Sequence, residues 1–323
     1  MSSRPLEIAA FLDRVGWGCA QAQAVEGDFS SRRYARLTKP DGATALLMDA
    51  DADQNTPRFV AVAKILQRAG IEAPEIYAQD AARGLLLLQD FGARNVGAAI
   101  DAGEEAKPYF LRAAEILAQL HRRFDGRDAA GLDFPCYNAE LFTTQAELFL
   151  DAYIPFALQR DATEGERIDF RAAWRAVMRG IEKLPQSLLL RDFMPDNLMD
   201  LPDGNLGVLD FQDAGIGAVA YDLASLCEEV RRDGGFALLP EVVAHYRSVA
   251  ESPLSQDDLL RACVILSAQR HTRILGIITR LVLRTGRREK LVFLPRIRLH
   301  LAHVLREPCL LPVRMWMQQY CPV

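Results

Sequence analysis

The sequence predicts an α+β chain of two lobes, the first built on a small antiparallel sheet and the second mostly helical. Strand-like and helix-like stretches up to residue 88 follow the order strand, strand, strand, helix, strand, strand. From Lys107 onward, apolar residues recur every three or four positions, which is the period of helices. A chain of 323 residues also exceeds what one hydrophobic core usually serves. The lobes are expected to span residues 1–92 and 93–323.

Leu6, Ile8, Phe11, Leu12 and Val15 predict a short first helix that Gly16 ends. A strand is expected from Ala20 to Val25. Two more, Arg33 to Lys39 and Ala43 to Met48, flank Lys39-Pro40-Asp41-Gly42, whose Pro and Gly suit a tight turn, so these two form a hairpin. Thr56 to Ala69 reads as a helix with Pro57 in its first turn and Gly70 as its stop. Pro74 to Ala78 and Gly84 to Leu88 read as strands, the second apolar enough to be buried on both faces. Further helices are expected over Lys107–His121, Asn138–Ala157 and Phe170–Lys183, with Asp161 to Glu166 as a polar connector. The chain from Leu223 to its end reads as helical, and no internal repeat or low-complexity tract interrupts it.

Composition narrows the function. A net charge of -5 argues against a general nucleic-acid binder, which needs a broad basic surface. Six cysteines form no C-x-x-C pair and no zinc-like grouping with histidine, so reduced thiols are expected. His300 and His303 lie at a spacing that shares a helix face, and with no further ligand near them in sequence they read as structural. His121 reads as a histidine that caps a helix end. The first residues run straight into a helical pattern without a secretory apolar stretch, and no long uncharged apolar run follows, so a cytoplasmic protein without membrane contact is expected. No obligate protein partner is evident.

The chemistry concentrates in one stretch. Leu188-Leu189-Leu190 delivers Arg191-Asp192, Asn197 follows five residues after Asp192, and Gly207-Val208-Leu209 delivers Asp210. Transfer of a phosphoryl group calls mainly for positioning a hydroxyl and for neutralising charge with a metal ion. Asp192 suits the hydroxyl as a hydrogen-bond acceptor, and Asn197 and Asp210 suit Mg²⁺ as hard oxygen ligands. Each residue alone fits an ordinary turn, but the three in this order point to a phosphoryl-transfer site. The Asp203-Gly204 turn between two short strands would bring Asp192 and Asp210 to one side of a hairpin.

Arg191-Asp192-x-x-x-x-Asn197 and Asp210-Phe211-Gln212 resemble the catalytic loop and metal-binding strand end of the protein-kinase-like fold. Pro195, Gly215, Gly217 and Tyr221-Asp222-Leu223-Ala224 resemble the aminoglycoside and sugar phosphotransferase branch. Together with Gln269-Arg270-His271-Thr272-Arg273-Ile274-Leu275-Gly276, they are most similar to the anomeric N-acetylmuramate/N-acetylglucosamine kinases of bacterial cell-wall recycling. The resemblance implies ATP and Mg²⁺ as cofactors and an amino sugar as acceptor. It places Ser30, Ser31, Arg32 and Arg33 at the nucleotide phosphates, and Gln89 and Phe91 in a hinge that meets adenine. It also implies substrate contacts for Asp192, Asp213, Arg231, Gln269, Arg270 and Arg273. Asp222, at the start of a helix, reads as structural, with its carboxylate either capping N–H groups or bracing the catalytic loop.

Between Cys263 and His300 stand nine Lys or Arg residues against one acid, Glu289. Arg270 and Arg273 lie within an apolar helical pattern on adjacent turns, where a guanidinium turned inward can grip a carboxylate. Such a stretch favours N-acetylmuramate, which bears a carboxylate, over polycationic aminoglycosides; a docking surface for an acidic partner explains the same residues. Leu190 and Met194 stand where kinase-like loops and this branch often have histidine. Ala45 to Asp49 lacks the lysine expected on the third strand, so Arg32, Arg33 or Lys64 must take its place at the phosphates. The rival readings are an aminoglycoside or other small-molecule phosphotransferase, and a non-catalytic pseudokinase that serves as a binding module.

Overall fold

Period-two and period-3.6 burial shape the chain, which a computed structural model describes over residues 4–25, 32–51 and 56–323. Its contacts divide it into two units: residues 1–102 with 196–212, and residues 103–195 with 213–323. The first unit ends ten residues later than the expected boundary at 92, and it takes back a hairpin from beyond the catalytic loop.

The first unit carries a five-stranded antiparallel sheet of β1 (Gln21–Val25), β2 (Arg33–Thr38), β3 (Thr44–Asp49), β4 (Ile76–Asp80) and β5 (Leu85–Leu88), in the order β1-β2-β3-β5-β4. The β2–β3 register pairs Thr38 with Thr44, and Gly42 takes a φ of 87° in the turn between them. Helix α1 (Arg4–Arg14) buries Phe11 and Leu12 against Leu37, Ala45, Leu47, Leu85 and Leu87. Helix α2 (Thr56–Arg68) buries a face of Phe59, Val60, Val62, Ala63, Ile65 and Leu66. All four leucines of β5 are buried, as the run predicted. A short helix that sequence periodicity did not reveal, α3 (Val96–Asp101), starts at Asn95, whose side chain accepts the Ala98 N–H.

The second unit is mostly helical: α4 (Ala106–Arg123), α5 (Ala139–Ala146), α6 (Ile154–Leu158), α7 (Glu164–Met178), α8 (Ala220–Cys227), α9 (Gly235–Val249), α10 (Gln256–Thr285), α11 (Leu294–Val304) and α12 (Leu311–Tyr320). It also holds a three-stranded sheet of β6 (Cys136–Tyr137), β7 (Gln186–Leu189) and, beyond the hairpin, β10 (Gly215–Ala218). The hairpin of the first unit is made by β8 (Leu198–Asp200) and β9 (Leu206–Val208).

Two helix expectations need correction. Asn138–Ala157 is not one helix: a π-helical stretch, Phe149–Tyr153, separates α5 from α6. The connector expected over Asp161 to Glu166 ends sooner, since α7 starts at Glu164, where Thr163 and Glu166 form a reciprocal capping box. That helix ends at Met178, short of Lys183.

The axis of the second unit is α10, capped by Ser255 at its start and closed by left-handed Gly286. A β-carbon on its Gly276 would sit 2.5 Å from the Leu148 carbonyl oxygen, at the edge of the π-helical stretch. Phe149, Phe170 and Trp316 pack next to this contact. Gly276→Ala is therefore expected to destabilise the protein by about 1–3 kcal/mol, the usual cost of overpacking against backbone. Gly165→Ala, in α7 where nothing lies within 4 Å of a new β-carbon, should add roughly 0.5–1 kcal/mol. Urea unfolding of the two variants checks the contrast.

Candidate active site

The strand β7 is buried from Ser187 to Leu189 and feeds a loop whose first residues face inward. Buried backbone amides require partners. Asp222, wholly buried in the first turn of α8, supplies them: its Oδ2 accepts the Leu190 N–H at 2.7 Å and its Oδ1 the Arg191 N–H at 2.9 Å. Of the two structural roles expected of Asp222, this is the brace. Arg191 sits at a φ of 73°, a left-handed conformation that costs a residue with a β-carbon about 1–3 kcal/mol unless its surroundings hold it. They do so here. The Arg191 carbonyl accepts the Ser225 hydroxyl at 3.1 Å, and its guanidinium lies 4.3 Å from the Tyr137 ring centroid and 5.6 Å from that of Tyr221. The turn closes with Asp192 N donating to Leu190 O at 2.9 Å, which leaves the Asp192 side chain about one-third exposed.

Asn197 and Asp210 belong to the first unit, at the open end of the β8–β9 hairpin. Leu209 N donates to Asn197 O at 2.9 Å, and the side chains meet with Asn197 Nδ2 3.4 Å from Asp210 Oδ2. Asp210 is itself left-handed, at a φ of 58°. Gln212 Nε2 donates to its other oxygen at 2.6 Å, and the next residue, Phe211, is buried against Phe59 with ring centroids 4.8 Å apart. An amide oxygen beside a carboxylate is a donor set that fits Mg²⁺.

Ser30 and Ser31 lie outside the described residues. Arg32 is buried and Arg33 half-exposed, the alternation expected of neighbours on an extended chain. Arg33 Nε donates to Asp49 Oδ2 at 2.9 Å, and Arg4 Nε donates to Asp49 Oδ1 at 2.8 Å. Burial alone would raise the Asp49 carboxyl, but the two guanidiniums outweigh it and hold it below the usual carboxylate range. Arg32 and Asp210 both act electrostatically on Tyr34, whose hydroxyl burial pushes up to about 12. Lys64 is exposed on α2. In the expected hinge, Gln89 N donates to Glu75 O at 2.8 Å and the Gln89 side chain accepts the Glu75 N–H, so both groups are spent on the sheet edge. Phe91 lies flat over Gly207, where a β-carbon would come within 2.7 Å of its ring. The residue that fixes this segment is one the sequence reading passed over: Asp90 takes Arg36 in a fork at 2.6 and 3.0 Å and caps the Gly92 N–H.

Among the expected substrate residues, Arg270 Nη2 lies 4.0 Å from Asp192 Oδ1. The Nε atoms of Arg270 and Arg273 are buried and have no hydrogen-bond partner among the described residues. Gln269 is different, since it is fully buried and its Nε2 donates to Phe142 O at 2.9 Å, tying α10 to α5. Arg231 N donates to Glu229 Oε2, and the Arg231 carbonyl accepts Arg296. Asp213 is exposed, with its carbonyl accepting the Tyr137 hydroxyl at 3.1 Å. His121 is half-buried, with Nδ1 2.8 Å from the Tyr246 hydroxyl and Nε2 without a hydrogen-bond partner among the described residues, so it is only partly the satisfied histidine expected.

Residues 21–256 match the phosphotransferase enzyme family, APH, which is well over half of the chain. The chain belongs to that family. This phosphotransferase is 34% identical over 299 residues to the N-acetylmuramate/N-acetylglucosamine kinase of Pseudomonas aeruginosa, an alignment covering 87% of this chain and 83% of that protein. The protein of the same name from Caulobacter vibrioides is 28% identical over 364 residues and covers 100% of this chain and 98% of its own. Among solved structures, a choline kinase from Streptococcus pneumoniae superposes with a TM-score of 0.66 at 16% identity, over 94% of this chain and 100% of that one. A choline/ethanolamine kinase family protein from Mesorhizobium loti gives the same TM-score and identity over 96% and 99%. The kinase-like α+β fold read from the sequence is thus the fold found, and the enzyme transfers phosphoryl groups to a hydroxyl. No helix of the described residues is long and apolar enough to cross a membrane.

Burial pushes the Asp222 carboxyl up to about 6, against the pull of its two backbone donors and Arg191. The native state therefore holds this proton more tightly than the unfolded chain does. Its contribution to stability is full below the unfolded value near 4 and declines as pH rises through about 6. The loop, in contrast, needs the carboxylate as a double acceptor. Turnover is expected to fall as pH drops through about 6, with no parallel loss in the unfolding midpoint from this group. Asp222→Asn turns an N–H₂ toward one backbone N–H, costing about 1–3 kcal/mol, and should abolish that acid limb along with most activity. An acid limb that survives unchanged in Asp222→Asn would assign it to another group.

Proposed function

We propose that this phosphotransferase is an ATP- and Mg²⁺-dependent sugar kinase acting in the cytoplasm, which phosphorylates the anomeric hydroxyl of N-acetylmuramate and N-acetylglucosamine in cell-wall recycling. The observation that carries the substrate class is the shared name of the relatives aligned over most of the chain. Arg270 and Arg273 support it, because buried guanidinium donors without acceptors suit the carboxylate of N-acetylmuramate. All six cysteines are free, which agrees with a reducing compartment.

In this reading Asp192 accepts a hydrogen bond from the sugar hydroxyl and aims its oxygen at the phosphorus. Asn197 and Asp210 would hold Mg²⁺, which when bound neutralises phosphate charge. Gln212 fixes the Asp210 carboxylate, and Asp222 with Ser225 fixes the backbone that carries Asp192. A group gripped by Arg270 lies next to Asp192. At the phosphates we assign Arg32 rather than Arg33, whose Nε is held by Asp49. Gln269 has its amide in a helix tie, so its role is to hold α10 in place.

Asp192→Asn should fold and bind ATP while turnover falls by about 10²–10⁴, the range for a lost general base. Asp210→Ala should be inactive, and Asn197→Ala should need more Mg²⁺. In the same coupled ADP-release assay, Arg32→Ala should raise the Michaelis constant for ATP and Arg33→Ala should not. Near-normal turnover in Asp192→Asn, or activity in chelator without divalent ion, would overturn the mechanism.

Sugar discrimination is a separate test. Arg270→Ala or Arg273→Ala should weaken N-acetylmuramate by about 1.5–3 kcal/mol, the size of a charge-assisted hydrogen bond, and leave N-acetylglucosamine nearly unchanged. Equal losses for both sugars would remove the carboxylate from the argument.

A further inference from the structure

Away from the phosphoryl-transfer residues, α8, α10 and α11 bring together three buried groups with the donor set of a transition-metal centre. Glu228 follows the last residue of α8, His271 lies midway along α10 and His300 on α11. One ligand atom from each lies within 4.8 Å of the others. The two imidazoles meet edge to face, with centroids 5.6 Å apart and planes at 76°.

The hydrogen bonds fix one tautomer. His271 Nε2 is 3.0 Å from the Glu228 backbone carbonyl, which can only accept, so the proton is on Nε2 and Nδ1 carries a lone pair. That Nδ1 is buried without a hydrogen-bond partner among the described residues, and so is His300 Nδ1. An imidazole anchored through one nitrogen to a backbone carbonyl, with the other nitrogen unpaired, is how proteins present histidine to a metal. Two unpaired ring nitrogens beside a buried carboxylate are each unfavourable if left unmet.

We propose that Glu228, His271 and His300 bind one divalent transition-metal ion, with zinc as the best fit, distinct from the Mg²⁺ used with nucleotide. The donor set selects the metal: two imidazoles and one carboxylate suit zinc, whereas a hard cation such as Mg²⁺ prefers oxygen ligands throughout. Arg270 acts on His271, and Arg296 and His303 act on His300, with the acids Glu228 and Asp233 beside them. Tetrahedral bonds of 2.0–2.2 Å place ligand atoms roughly 3.3 Å apart; His271 turns Nε2 toward Glu228 Oε2, at 3.9 Å, so its ring must rotate to offer Nδ1 to an ion shared with that carboxylate. Glu228 also lines a cavity of about 760 Å³ with Phe236, Leu239, Arg261, Val264 and His303, so one of the three ligands borders open space. The ion would tie the end of α8 to α10 and α11 and stiffen the turn of α10 that bears Arg270 and Arg273.

The test uses full-length protein freed of metal by chelator and gel filtration, without nucleotide. Zinc is titrated in competition with a chromophoric chelator. One zinc per chain should bind, and Co²⁺ in its place should give the visible absorption of a four-coordinate site. His271→Gln and His300→Gln should each weaken zinc by at least about ten-fold, and zinc should raise the melting temperature of the parent protein but not of His300→Gln. Cys19→Ser and Cys136→Ser, which remove the exposed thiols, should change neither reading. If His271→Gln does not fold, His300→Gln decides alone. Absence of stoichiometric zinc, zinc retained unchanged by His300→Gln, or loss only in the cysteine variants would overturn the site.

Discussion

A carboxylate with no exposure to solvent holds the catalytic loop by two hydrogen bonds, and the second unit is arranged to make that possible. Asp222 must be buried to exclude water from the Leu190 and Arg191 amides, and it must be charged to accept both of them well. Its burial comes from α8, of which every residue is buried. The left-handed turn at Arg191 then follows, because only that conformation aims two successive amides at one carboxylate while sending Asp192 outward. Tyr137 and Tyr221 give the Arg191 guanidinium an aromatic seat, so the charge needed for the turn is not left in an apolar environment.

The first unit solves a similar problem with arginine forks. Asp49 ends β3 and Asp90 lies two residues beyond the end of β5, and each is met by guanidinium groups from elsewhere in the unit: Arg4 and Arg33 for Asp49, and Arg36 for Asp90. Asp49 occupies the strand where kinase-like chains carry a lysine, so the sign of the charge on β3 is reversed. An acid there draws Arg33 onto the sheet, while Arg32, next to it in the chain, is buried.

The sheet was legible because short apolar or mixed runs are set off by turns that carry Pro, Asp and Gly where a turn needs them; the expected β2–β3 hairpin is present. The Asn197–Asp210 pair was legible for a different reason, since two short apolar runs around Asp203-Gly204 can only pair as a hairpin that brings their outer ends together. What periodicity does not reveal is where a helix is interrupted. Leu148 to Ile154 is apolar apart from Asp151, and the π-helical stretch ends just before Pro155, whose missing N–H and ring disturb the α-helical pattern. Gly276, far along the sequence, lies close against Leu148. The start of α7 was written in Thr163-Glu164-Gly165-Glu166, where polarity masked a capping box. Gln269 reads like its arginine neighbours in sequence, and only the structure shows that its Nε2 donates a hydrogen bond to Phe142 and ties two helices together. The grouping of Glu228, His271 and His300 comes from three separate elements, and no local spacing announces it.

The hairpin that returns to the first unit bears on how the chain is made. Val208 N donates to Glu72 O, Asp200 N to Arg94 O, and Phe211 stacks on Phe59, so the unit is incomplete until residue 212 exists. During synthesis, residues 1–102 emerge with these partners missing and must wait while 103–195 are added. Contacts of such long sequence separation are slow to form, because a large loop has to close before they give any return. The residues that wait longest include Asn197 and Asp210, so the proposed metal ligands can assemble only after most of the chain has left the ribosome.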